Sequence, residues 1–92
     1  MRRAPAIRRS ASMPRYFFHL RDSSDILLDP EGAEMAPADI ATKAVWQARD
    51  CMAGDLRDGS VDLRYHIDVH DESGAKVHSI AFADAVQIIP AE

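Results

Sequence analysis

Cysteine is nearly absent from this 92-residue chain, aromatic residues make up only 7% of it, and no apolar run is long. A lone cysteine, Cys51, leaves no partner for a disulfide within the chain, and no C-x-x-C or Cys/His spacing suggests structural zinc. Such usage fits a reducing compartment, so a cytoplasmic location is expected. No run approaches the roughly 18 to 20 residues of a membrane span, and the start lacks the apolar stretch of a secretory signal. The chain is therefore expected to be neither inserted nor exported. Also missing are G-x-S-x-G, a P-loop, H-E-x-x-H and a dinucleotide fingerprint. These absences predict a non-enzymatic domain with no cofactor.

Basic charge is scarce after the first residues. Arg2, Arg3, Arg8, Arg9 and Arg15 precede every acid, whereas the six later basic residues face fifteen acids, a balance of −9 from residue 16 onward. Such a body repels a phosphate backbone and is not expected to bind nucleic acid. What is present is an ordinary globular composition, 47% apolar and 28% charged, with room for one domain. A domain this small buries only about 60 to 65% of its unfolded surface, so support from a homo-oligomer or protein partner, a homodimer for example, is expected.

Residues 1–12, rich in Arg, Ala and Ser with Ile7 their only large apolar residue, are expected to form a disordered basic extension before a single domain at 13–92. One reading makes them an arm for weak nucleic-acid contact. The other notes Met13 directly before the first strand-like run and treats them as an upstream start that adds nothing to the fold.

From Arg15 the pattern turns β-like, with Tyr16, Phe18 and Leu20 alternating against Phe17 and His19. Asp22 to Asp25 supplies turn chemistry, Ile26-Leu27-Leu28 a short return strand, and Asp29-Pro30-Glu31-Gly32 a second turn. A helix is predicted over about residues 38–58, with Asp39 as N-cap or first-turn acid and Gly59 as the stop. Ile40, Ala41, Ala44, Val45, Ala48, Cys51, Met52 and Leu56 share one arc of that helix, which must face the sheet. Residues 64–70 alternate strictly, placing Tyr65, Ile67 and Val69 on a buried face and Arg64, His66, Asp68 and His70 on a wet one. A turn at Asp71-Glu72-Ser73-Gly74 leads to a fourth strand over 76–82, and Val86, Ile88 and Ile89 suggest a tail tucked along an edge. The fold class predicted is α+β: ββαββ, a four-stranded antiparallel sheet with one helix packed on one face.

Three constellations carry the candidate chemistry. His66, Asp68 and His70 stand in a row about 6 to 7 Å apart, loosely compatible with a metal; the alternative is solvated residues on an open sheet face. Whether His78 joins them depends on the hairpin. A two-residue loop pairs Ile67 with His78 and turns that histidine toward the core, while a type I turn with Gly74 in a G1 bulge sets it opposite Asp68 on the wet face. Cys51, on the apolar arc, reads as an inert buried thiol. Trp46 falls opposite that arc beside Arg49; the two form a candidate interface anchor, or else a ring lying flat over its helix neighbours. One helix on four strands offers little concavity for acid–base work.

The stretch M-P-R-Y-F-F-H-L from Met13, the D-x-E-G turn at Asp29 to Gly32, Ile67-Asp68-Val69, the D-E-x-G turn at Asp71 to Gly74 and Phe82-Ala83-Asp84-Ala85-Val86 resemble a family of short alphaproteobacterial proteins classed as a domain of unknown function. The resemblance spans about residues 13–86 and implies a bacterial protein with no assigned activity and no functional residue to carry over. The chain departs from the family pattern in its basic extension and in Trp46, where a polar residue is expected. The leading expectation is thus a small self-associating or protein-docking domain, with metal binding on the histidine face as its rival.

Overall fold

The computed structural model describes residues 13–91. It is an open antiparallel sheet with a helix packed on one face, as the periodicities predict, though with five strands where four were expected. The elements are β1 (Arg15–Arg21), β2 (Ile26–Leu27), β3 (Ala33–Glu34), a 3-10 turn (Pro37–Asp39), α1 (Ile40–Arg57), β4 (His66–His70), β5 (Lys76–Ala81) and the single-turn helix α2 (Phe82–Ala85). The sheet order is β2-β1-β4-β5, with β3 also pairing β1.

The extra strand, β3, follows directly on the turn predicted at residues 29–32. After β2 pairs Leu27 with Leu20, the chain leaves the ladder and rejoins it with Ala33 opposite Tyr16. β2 and β3 are thus two pieces of one interrupted return strand. Asp29 fills the interruption with its side chain: Oδ2 accepts from the Phe18 amide at 3.2 Å, and Oδ1 from the Glu31 and Gly32 amides. A backbone donor that a neighbouring strand would have satisfied is thereby served by a carboxylate.

The core lies between sheet and helix. Tyr16 and Phe18 from β1, Ile67 and Val69 from β4, and Phe82 from α2 pack against Ile40, Ala44, Ala48 and Met52 of α1. Ala44 and Ala48 are fully buried, and their small side chains let the helix approach the sheet closely. The buried stripe is narrower than the predicted arc. Ala41 and Leu56 are exposed, because the residues buried along this 18-residue helix follow the single i, i+4 row Ile40, Ala44, Ala48 and Met52, which drifts around the helix axis and leaves both outside it. Asp39 takes the N-cap position but makes no side-chain capping bond, and the Ser60 and Gly59 amides close the other end on the Asp55 and Leu56 carbonyls.

The hairpin between β4 and β5 adopts neither predicted register in full. The turn is the type I form with Gly74 at φ +90°, and it sets Lys76 opposite His70. An extra residue, Val77, then bulges, so that Val69 faces His78, Asp68 faces Ser79 and Ile67 faces Ile80. Turn chemistry demands one offset and apolar alternation the other; the bulge satisfies both. His78 thus shares the core-side face with Val69, away from His66 and His70. The tail also departs from expectation, forming α2 against α1 and then leaving Ile88 and Ile89 exposed.

Gly32 is the most tightly enclosed of the glycines among the described residues. At φ +69°, a Cβ there would lie 2.7 Å from the Tyr16 carbonyl oxygen and 2.9 Å from the Phe17 ring. Gly32→Ala is expected to destabilise the domain by about 2 to 4 kcal/mol, combining left-handed strain with a backbone clash. Gly54→Ala, in the helix with nothing within 4 Å of the added methyl, is expected to stabilise it by about 0.5 to 1 kcal/mol. Urea unfolding followed by circular dichroism checks both signs.

Candidate functional site

The face of the sheet opposite the helix is assembled from alternate residues of three strands. Register pairs Phe17 with His70, His19 with Asp68 and Arg21 with His66 between β1 and β4, and Asp68 with Ser79 between β4 and β5. Asp68 was expected on a wet face, yet it is only 2% exposed. Its neighbours close over it: Arg21 Nε donates to Oδ2 at 2.5 Å, Arg21 Nη2 to Oδ1 at 3.3 Å, and Ser79 Oγ to Oδ1 at 2.7 Å, with Lys76 Nζ 3.9 Å from Oδ2. A carboxylate tolerates such burial only when paired in this way. Burial alone pushes the Asp68 carboxyl up, but the hydrogen bonds from Arg21 and Ser79 and the charges of Arg21 and Lys76 outweigh it and hold the group below the ordinary carboxylate range.

The histidines of this face differ in their surroundings. His19 Nδ1 accepts from the Asp29 amide at 3.0 Å, and its ring stacks on Phe17 and lies 4.9 Å from that of His70. The Nδ1 atoms of His66 and His70 are buried without a hydrogen-bond partner. His66, Asp68 and His70 thus occupy one face as the alternation predicts, but both oxygens of Asp68 are engaged by other side chains. Among the described residues, no three His, Cys, Asp or Glu side chains gather closely enough to hold a metal ion. Phe17, His19, His70, Ile26, Leu28 and Glu72 border a shallow depression of about 460 Å³ on this side.

On the helix side, Trp46 points outward as predicted and is 57% exposed. Arg49 lies over its ring, 5.7 Å from guanidinium carbon to centroid, and donates through Nε to the Ala85 carbonyl at 2.7 Å. Arg49 is thus the helix neighbour that the ring meets, and α2 holds its guanidinium through the Ala85 carbonyl. Arg49 also lines an apolar groove of about 460 Å³ between α1, the loop that follows it and the tail, with Met52, Leu56, Val61, Leu63, Val86 and Ile88. A second cleft, between Cys51, Asp55, Asp62 and Tyr65, is acidic. Burial pushes the Cys51 thiol up, and the charges of Asp55 and Asp50 push it further, opposite to what a reactive thiolate needs.

Composition and alternation did not point to Arg21 and Ser79 as partners of Asp68, nor to the groove. The first needs the strand order, since Arg21 and Asp68 are 47 residues apart. The second needs α2, which pins Arg49 and directs the tail past Leu56. The arginine-rich extension proposed for nucleic-acid contact lies outside the described residues. Among the described residues, no helix is long and apolar enough to cross a membrane.

Because the carboxyl of Asp68 titrates lower in the folded protein than its ordinary 3.8, the stability it contributes is complete above that value and is lost as pH falls through the lowered one. Asp22, Asp29, Asp62 and Asp71 are depressed as well and share this acid limb, Asp62 falling to about 2. Arg21→Gln removes the main counter-charge and is expected to lower the urea midpoint at pH 7 while making the decline below about pH 4 shallower than in the wild type. Paired titrations of the urea midpoint check this, since the other aspartates contribute equally to both proteins.

Compared with known proteins, the chain matches no curated protein and no solved structure. A family model described as a domain of unknown function, DUF6894, matches residues 15–83, from the start of β1 to the first turn of α2. That span takes in both hairpins, α1 and the buried Asp68, and the chain belongs to the DUF6894 family.

Proposed function

We propose that this protein is a non-enzymatic module that self-associates, presenting the face formed by α1 and the tail to a second copy of itself. The observation that carries this reading is the apolar groove beside Arg49, whose wall residues Leu56 and Ile88 are 69% and 68% exposed. Next to Ile88 the chain leaves Ile89 78% exposed, so the tail carries a projecting apolar side chain directly after the one that lines the recess. An isologous two-fold interface needs that combination, because each copy's projection must meet the other's recess. Trp46, stacked with Arg49 of the groove lining, supplies the aromatic anchor on which such interfaces concentrate their energy. The −9 balance after Arg15 opposes association in general. Within the groove wall the only formal charge is Arg49, already bonded to a carbonyl and stacked on a ring, so contact there meets little like-charge repulsion.

Light scattering coupled to gel filtration of the full chain is expected to give a dimer mass at about 100 μM, and Leu56→Glu with Ile88→Glu a monomer of unchanged helix content. Trp46→Ala is expected to weaken the dimer by about 10- to 100-fold in Kd, the scale of a single hot-spot residue. A wild-type monomer at that concentration overturns the reading.

A further inference from the structure

The contact between His19 and Asp29 has a polarity that restricts its protonation state. The Asp29 amide is a donor with no alternative, and it points at His19 Nδ1, 3.0 Å away. Nδ1 must therefore carry a lone pair, which puts the proton of the neutral ring on Nε2. The same loop is held by the Asp29 carboxylate, which takes the Phe18, Glu31 and Gly32 amides. Backbone and side chain of one residue thus bind β1 at two adjacent points, and these bonds occupy the gap between β2 and β3.

We propose that His19 and Asp29 form a pH-sensitive latch, which holds residues 28–32 against β1 at neutral pH and releases them when His19 takes up a proton. The proton comes from solvent and forms an N–H bond at Nδ1, so two donors then face each other and the Asp29 amide loses its acceptor. Release uncouples Leu28 from the depression it borders with Phe17, His19 and His70, and loosens β3, which pairs with β1 over two residues only.

The titratable groups that face His19 are Asp29 in the loop, His70 and Asp68 on β4, and Asp71 and Glu72 at the hairpin end of the same depression. Asp68 is already bonded to Arg21 and Ser79, and Asp71 to the amides and hydroxyl of its own turn. Burial lowers the His19 imidazole below its ordinary 6.5 and the charge of His70 lowers it further, while Asp29 and Asp68 pull it up without restoring it. A base whose affinity for protons is lower in the latched form favours that form at high pH. The latch therefore weakens as pH falls below about 6.5 and goes on weakening towards the lowered value.

Hydrogen exchange of the full-length protein, read at the Asp29 amide and corrected for the intrinsic rate, tests this. Protection is expected to fall by up to about tenfold per pH unit between pH 6.5 and 5, the slope of one linked proton. His19→Asn places a carbonyl oxygen where Nδ1 stood, accepts the same amide and does not titrate, so its protection is expected to stay flat over that range. Equal protection of the wild type at pH 7.5 and 5, or an equal fall in both proteins, overturns the proposal. Should the variant fail to fold, the imidazole nitrogen shifts of wild-type His19 at pH 7.5 decide. An Nε2–H tautomer supports the latch, and an Nδ1–H tautomer overturns it.

Discussion

A carboxylate in the middle of a sheet has to be surrounded before it can be buried, and in this domain that requirement ties three strands together. Asp68 sits on β4, the strand flanked by β1 and β5, and takes bonds from Arg21 on one neighbour and Ser79 on the other. Neither strand can slip along β4 without stripping a donor from a group that is 2% exposed. The alignment of Phe17 and His19 with β4 follows from that registration, and so does the position from which His19 reaches the Asp29 loop. The opposite face is fixed more simply, by apolar packing under Ala44 and Ala48.

The two faces of the sheet were legible from the chain to different depths. Alternation along Tyr16, Phe18 and Leu20 and along Ile67 and Val69 identified the core side, because burial there depends on polarity pattern alone. Helix boundaries came within two or three residues for the same reason, and Gly59 stops α1 where its position predicts. Asp68 resisted such reading: a polar residue in alternation looks solvated, and its burial becomes visible only once Arg21 is known to lie across from its neighbour. The Val77 bulge resisted it as well, since the signals at Gly74 and at Ile80 ask for different offsets and an inserted residue reconciles them. β3 was hidden because Asp29 imitates a strand partner with its side chain, which a local reading of D-P-E-G takes for an ordinary turn. Trp46 and Arg49 were placed correctly on the outer face, but the groove they flank depends on α2, a single helical turn that follows a strand without a breaker between them.

These observations give the family's common span a physical content. The segment that matches DUF6894 includes every donor and acceptor around Asp68 and both halves of the interrupted return strand, and it ends inside α2. Ile88 and Ile89, on which the proposed self-association relies, fall beyond it. The α1 wall of the groove, from Arg49 to Leu56, lies within the matched span, and only its tail wall, Val86 and Ile88, falls outside.

The pairing of β1 with β4 also bears on how the domain is made. Its central strand pair joins residues as far apart as Arg21 and Asp68, 47 positions along the chain, with α1 in the closing loop. Closure of a loop that long costs more entropy than either local hairpin, so the β1–β4 seam is expected to form after them. During synthesis, β1 leaves the ribosome well before its partner and waits with Tyr16 and Phe18 uncovered. Its early companions are the two fragments of the return strand, which shield its other edge until β4 arrives.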